Sequence, residues 1–141
     1  MVIRLTFAAM AFAIAAGTAQ AQDRAQAQGL QISLNTLDPQ PEACRLTFVA
    51  DNKTEAEITR LVIEAVLFTK AGQVAQFTLF DFAALPMGRQ RVRQFDVAGL
   101  ACDDLGQVLL NGVSACDGAD PAACAAALSP ASTVEGIEVA G

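Results

Sequence analysis

Residues 61–82 read LVIEAVLFTKAGQVAQFTLFDF. Residues 61–69 are apolar on both faces of an extended chain, broken only by Glu64, as in a central strand. Residues 74–82 form a second strand, and Lys70-Ala71-Gly72 is the turn between them, with Gly72 supplying a positive φ. Upstream, Ile32 and Leu34 alternate with Gln31, Ser33 and Asn35. Cys44, Leu46, Phe48 and Ala50 alternate with Arg45, Thr47 and Asp51, and Val49 is out of step. These are half-buried strands. Downstream, Pro86 and Gly88 mark a reversal before a strand over 89–97 (RQRVRQFDV). There Val92 and Phe95 stand three apart, which predicts a bulge near Gln94. Residues 105–113 and 134–139 complete the set. One short helix is predicted: Asp120 caps it, Pro121 opens it, and the Ala-rich run ends at Ser129-Pro130. Seven short strands and one helix predict an all-β, two-layer antiparallel sandwich of immunoglobulin-like type, with a small closed barrel as the alternative.

The chain has 141 residues, 53% of them hydrophobic and 17% charged, with a net charge of −6 and no His, Trp or Tyr. That composition suits one folded domain rather than a disordered chain. The missing imidazole excludes Ser-His and Cys-His nucleophile pairs, His metal sites and His pH switches. The acidic balance argues against nucleic acid and anionic membrane surfaces as partners.

The first 21 residues read as a secretory signal peptide. Arg4 supplies the positive start, residues 5–16 (LTFAAMAFAIAA) the apolar segment, and Ala19-Gln20-Ala21 the small-x-small cleavage pattern. The apolar segment is shorter than the roughly 20 residues a resident membrane helix needs. No twin Arg and no following Cys is present, so a Sec-type signal is expected, with cleavage after Ala21. Residues 22–29 (QDRAQAQG) read as a flexible leader, and 30–141 as the folded domain. Localisation is expected to be periplasmic or secreted, with no membrane span in the mature chain.

Export and an even cysteine count predict disulfides for Cys44, Cys102, Cys116 and Cys124. If consecutive strands alternate direction, Cys102 returns to the level of Cys44. The strand at 105–113 then carries Cys116 roughly 30 Å away. A disulfide needs Cα atoms within about 7 Å, so parity selects Cys44–Cys102 and Cys116–Cys124. No two cysteines stand in CxxC spacing, and no Lys flanks one to lower its pKa.

Arg89, Arg91 and Arg93 share one face of a strand and form the local basic feature of an acidic chain. They are candidates for gripping an acidic partner or an anionic envelope ligand. The competing reading is a solvated edge, offset by Asp81 or Asp96. Asp117-Gly118-Ala119-Asp120 has oxygen ligands and a Gly turn, but it lacks regular calcium-loop spacing, and Asp120 serves as a helix cap. Asp103 and Asp104 are adjacent and diverge. Asn52-Lys53-Thr54 is a formal glycosylation sequon, read as a turn. Phe68, Phe77, Phe80 and Phe82 are expected in the core, with one or two exposed Phe marking a partner site. No cofactor or metal site is expected.

The signal peptide with CRLTFVADN (44–52), LFDFAALPMGRQRVRQFDVAGLAC (79–102) and GQVLLNG (106–112) resembles a group of small exported bacterial proteins labelled "Tat pathway signal sequence domain protein". The resemblance covers most of 30–141 and implies no catalytic residues. The strand, turn, strand and LPxG order is also similar to immunoglobulin-like accessory domains of envelope proteins. The function expected is a non-catalytic exported binding or accessory module of the cell envelope. The alternatives are an assembly subunit that exchanges a strand (the leader or 134–139) and a carboxylate- or metal-dependent enzyme.

Overall fold

Alternation of apolar and polar residues translates directly into paired strands, because each strand has one face to hide. A computed structural model describes residues 29–141. The expected signal peptide, and the leader up to residue 28, lie outside the described residues. Eight strands form: β1 (Leu30–Gln40), β2 (Ala43–Asn52), β3 (Ile58–Thr69), β4 (Val74–Leu85), β5 (Gln90–Ala98), β6 (Leu105–Asp117), β7 (Leu128–Ser132) and β8 (Glu138–Ala140). A short helix, α1 (Pro121–Ala127), joins β6 to β7. The strands divide into two four-stranded sheets, ordered β5-β2-β1-β7 and β4-β3-β6-β8. The result is an immunoglobulin-like sandwich in which the chain crosses between sheets after β2, β4, β5, β6 and β7. The closed barrel does not form.

The core lies between the sheets. One side supplies Leu30, Ile32, Leu34, Leu46, Phe48 and Ala50, and the other Leu61, Ile63, Ala65, Leu67, Phe80 and Phe82, all buried. Phe48 is the centre of an aromatic cluster, with ring centroids 5.5 Å from Phe80, 5.7 Å from Phe82 and 6.0 Å from Phe95. Burial of this set, at about 25 cal/mol per Å² of apolar surface, is the main force holding the layers together. Gly72 takes the expected left-handed φ of 78° in the β3–β4 turn. Gly118 (φ 96°) is needed for space as well, since a Cβ there would lie 2.2 Å from the Glu57 carbonyl oxygen.

Both disulfides have the pairing that strand parity selects: Cys44–Cys102, with Cα atoms 4.9 Å apart, and Cys116–Cys124, at 6.6 Å. In β2–β5 the antiparallel register places Cys44 opposite Val97, so the chain reaches Cys102 close to where β2 began. The second bridge holds α1 to the end of β6.

Four details differ from the sequence expectation. The sheets are mixed, because β7 pairs parallel to β1 and β8 parallel to β6. An eighth strand, β7, follows the helix directly. It is an edge strand, so Pro130 can occupy it without costing the sheet a ladder hydrogen bond. The last strand is shortened to Glu138–Ala140, while Val134 and Ile137 pack on the core from a turn. No bulge occurs near Gln94, and β5 pairs with β2 in unbroken register. Arg91, Arg93, Phe95 and Val97 share one face, and Val92 is simply an apolar residue left outside. The breaks in register fall instead between Leu34 and Thr36 and along β3.

Candidate binding surfaces

The arginine segment is not a uniform strip. Arg89 lies just before β5 and is exposed, while Arg91 and Arg93 are half-buried on the face they share with Phe95. Arg93 crosses to the other sheet. Its Nε donates to the Phe82 carbonyl at 2.7 Å, and its Nη2 donates to the Ala84 carbonyl at 3.1 Å. Both carbonyls belong to β4, the end strand of the second sheet, so a single guanidinium ties two sheet edges together. Its rigid fork of donors suits this better than a Lys ammonium would. Arg91 Nη1 donates to the Gln90 carbonyl.

The acids expected to offset these arginines are engaged elsewhere. Arg45 grips Asp96 through Nε at 2.7 Å and Nη2 at 2.9 Å. Arg60 holds Asp81 at 2.9 Å, and the Ala83 N–H donates to the other Asp81 oxygen. The Arg45 hydrogen bond and charge hold Asp96 below the usual carboxylate range. The Arg60 hydrogen bond, then the Ala83 N–H, do the same for Asp81, with a smaller contribution from Arg93. Both pairs are solvent-exposed and add little stability.

A consequence is testable by chemical denaturation. Arg93→Met retains most of the packing but strands the two β4 carbonyls, and is expected to cost about 1–3 kcal/mol. Arg89→Ser should change stability by less than about 0.5 kcal/mol. Equal effects at the two positions would contradict the clamp.

The Cys-flanked acids do not converge. Asp103 and Asp104 sit in a 3-10 turn before β6, and Asp117 lies at its far end. Asp120 caps α1 by accepting from the Ala123 N–H at 3.1 Å. Among the described residues no three His, Cys, Asp or Glu side chains come together as a metal-ligand group.

Asn52 of the sequon is wholly buried. Its Nδ2 donates to the Ala56 and Leu85 carbonyls, both at 2.8 Å, and its Oδ1 accepts from Thr54 N–H and Oγ1. It therefore holds the loop after β2 and presents no amide for modification.

Of the phenylalanines expected in the core, Phe80 and Phe82 are buried, Phe68 is half-buried, and Phe77 is 73% exposed. Leu79, beside it on the same face, is 61% exposed. Register extends this patch across the outer face of the second sheet. Phe77 is opposite Val66, Val66 opposite Leu109, and Leu109 opposite Ala140. The next row runs Leu79–Glu64–Gly112. Gly112 has no side chain, which leaves room beside the Glu64 carboxylate. Phe77, Thr78, Leu79, Glu64, Val66 and Asn111 line a shallow depression of about 280 Å³. A signal for the patch was present in parity: Phe77 and Leu79 are odd-numbered and cannot share a face with Phe80 and Phe82.

A solved structure of IrmA from Escherichia coli shares the fold. The two align with a TM-score of 0.58 at 13% identity, over 72% of this chain and 90% of that one. At that identity the likeness concerns architecture alone. No protein-family model and no curated protein sequence matches the chain.

Proposed function

We propose that this chain is a non-catalytic, exported binding or accessory module of the bacterial cell envelope, and that it engages its partner through the outer face of the β4-β3-β6-β8 sheet. The observation that carries this reading is the pair of exposed side chains, Phe77 and Leu79, beside a depression on a stapled sheet. Large apolar side chains clustered on a surface cost solubility unless a partner covers them. The two disulfides support export, since such bonds persist in oxidising compartments. Among the described residues no helix is long and apolar enough to cross a membrane. The Sec-type signal, periplasmic or secreted localisation, and kinship with the small exported bacterial proteins belong to the same proposal.

The test is a pull-down from envelope extract with three forms of the protein. A partner should be retained by wild type and by an Arg89→Ser, Arg91→Ser variant, and lost by a Phe77→Ser, Leu79→Ser variant. Retention by the Phe77/Leu79 variant would refute the face. Loss with the arginine variant alone would transfer the contact to the basic segment.

A further inference from the structure

Two open sheets have four edges, and three of them resist pairing. β5 carries Arg91, Arg93 and Asp96, β7 contains Pro130, and β8 is only three residues long. Charge, proline and shortness are the usual means of keeping sheets from joining edge to edge. The fourth edge, β4, is treated differently along its length. Its carboxyl-terminal part is closed. Arg93 occupies the Phe82 and Ala84 carbonyls, Asp81 takes the Ala83 N–H, and Ala83 has a left-handed φ of 54°. Residues 74–80, VAQFTLF, contain no charge and no proline. They pair with β3 on one side only. Phe77 and Leu79, the two most exposed large apolar side chains among the described residues, stand on this same stretch.

From this asymmetry we infer that residues 74–80 pair antiparallel with the same residues of a second copy, about a two-fold axis through Thr78. A two-fold contact must be self-complementary. Centred on Thr78, it places Phe77 opposite Leu79 of the other copy and Leu79 opposite its Phe77, giving two apolar cross-strand pairs. Because the stretch is uncharged, no residue meets a like charge in its own copy, which matters for a chain of net charge −6. The two outer faces then become one continuous eight-stranded surface, with Phe77 and Leu79 at its centre and still facing outward. The paired stretch is short. Its buried area falls below the ~1,200–2,000 Å² of a stable interface, so the dimer dissociates on dilution. It is populated near ~100 µM and largely lost near ~1 µM.

Sedimentation velocity of the disulfide-bonded protein across that range tests the inference. Thr78 faces its own copy at about 5 Å. Thr78→Lys and Thr78→Glu, each first shown to be folded by circular dichroism, should therefore each remain monomeric, and an equimolar mixture of the two should dimerise again. Amide exchange on wild type gives a second readout without a substitution. Residues 75–79 should slow on concentrating the protein, and residues 83–85 should not. A wild type that stays monomeric at ~500 µM overturns the inference, as does a Thr78→Lys variant that still dimerises or a mixture that does not. The experiment uses no envelope partner, so its failure leaves the proposed binding face standing, and the converse also holds.

Discussion

Asn52→Asp is expected to destabilise the fold by about 3–5 kcal/mol at neutral pH, although the two side chains have almost the same shape. An amide can donate twice and accept twice, and Asn52 uses all four capacities in a site with no solvent access. The aspartate would turn a carboxylate oxygen toward the Ala56 and Leu85 carbonyls, placing three acceptors together without a proton. Burial of an unpaired charge is among the costliest single changes a core can suffer. Sign follows from the same geometry. The introduced carboxyl would have its folded pKa raised above the ordinary value near 3.9, because only the protonated form can donate to either carbonyl. Its penalty is therefore smallest below pH ~4 and grows as pH rises through the raised folded pKa. Urea denaturation at pH 7 and pH 4 measures both points. A loss below about 1 kcal/mol at pH 7, or a larger loss at pH 4 than at pH 7, would show that Asn52 is not the pin described.

Removal of the Cys44–Cys102 bridge by paired alanine substitution is expected to cost about 4 kcal/mol, against about 2–3 kcal/mol for Cys116–Cys124. The difference comes from loop length. The first bridge closes a sequence separation of 58 residues and the second a separation of 8. A longer closed loop removes more conformations from the unfolded chain. Cys44 is also wholly buried, so its truncation leaves a small void that adds to the loss. For a domain of this size, about 4 kcal/mol lowers the melting midpoint by roughly 15 °C or more. Thermal melts of the two paired variants decide the ranking. A larger loss from Cys116–Cys124 would mean that anchoring α1 matters more than closing the long loop.

The strands of the core were legible because burial of one face imposes period two on the residues that make it. Ile32 and Leu34, the Cys44–Ala50 alternation and the apolar run at 61–69 all lie where that rule places them. Disulfide pairing was legible for a related reason: antiparallel neighbours reverse direction, and a strand length is far larger than a disulfide can bridge. Edge features were harder to read. β7 was hidden because Ser129-Pro130 ordinarily ends structure, and only an edge position makes Pro130 acceptable there. Val92 suggested a bulge because its own parity gives no sign that its face is solvent. Arg93 read as one of three equivalent cations, since its acceptors are backbone carbonyls on β4, which leave no mark in the sequence. Asn52 read as a turn residue because its two donor contacts belong to Ala56 and to the distant Leu85.

The sequence by itself therefore determined the layered all-β architecture, the two bridges and the absence of imidazole chemistry, all of which depend on residue type and local spacing. Tertiary structure alone decided which strands became edges, which arginine became a clamp, and which Phe stayed outside. Those outcomes depend on which segments meet across the sandwich, and long-range pairing is set by the packing of the whole core rather than by any local pattern.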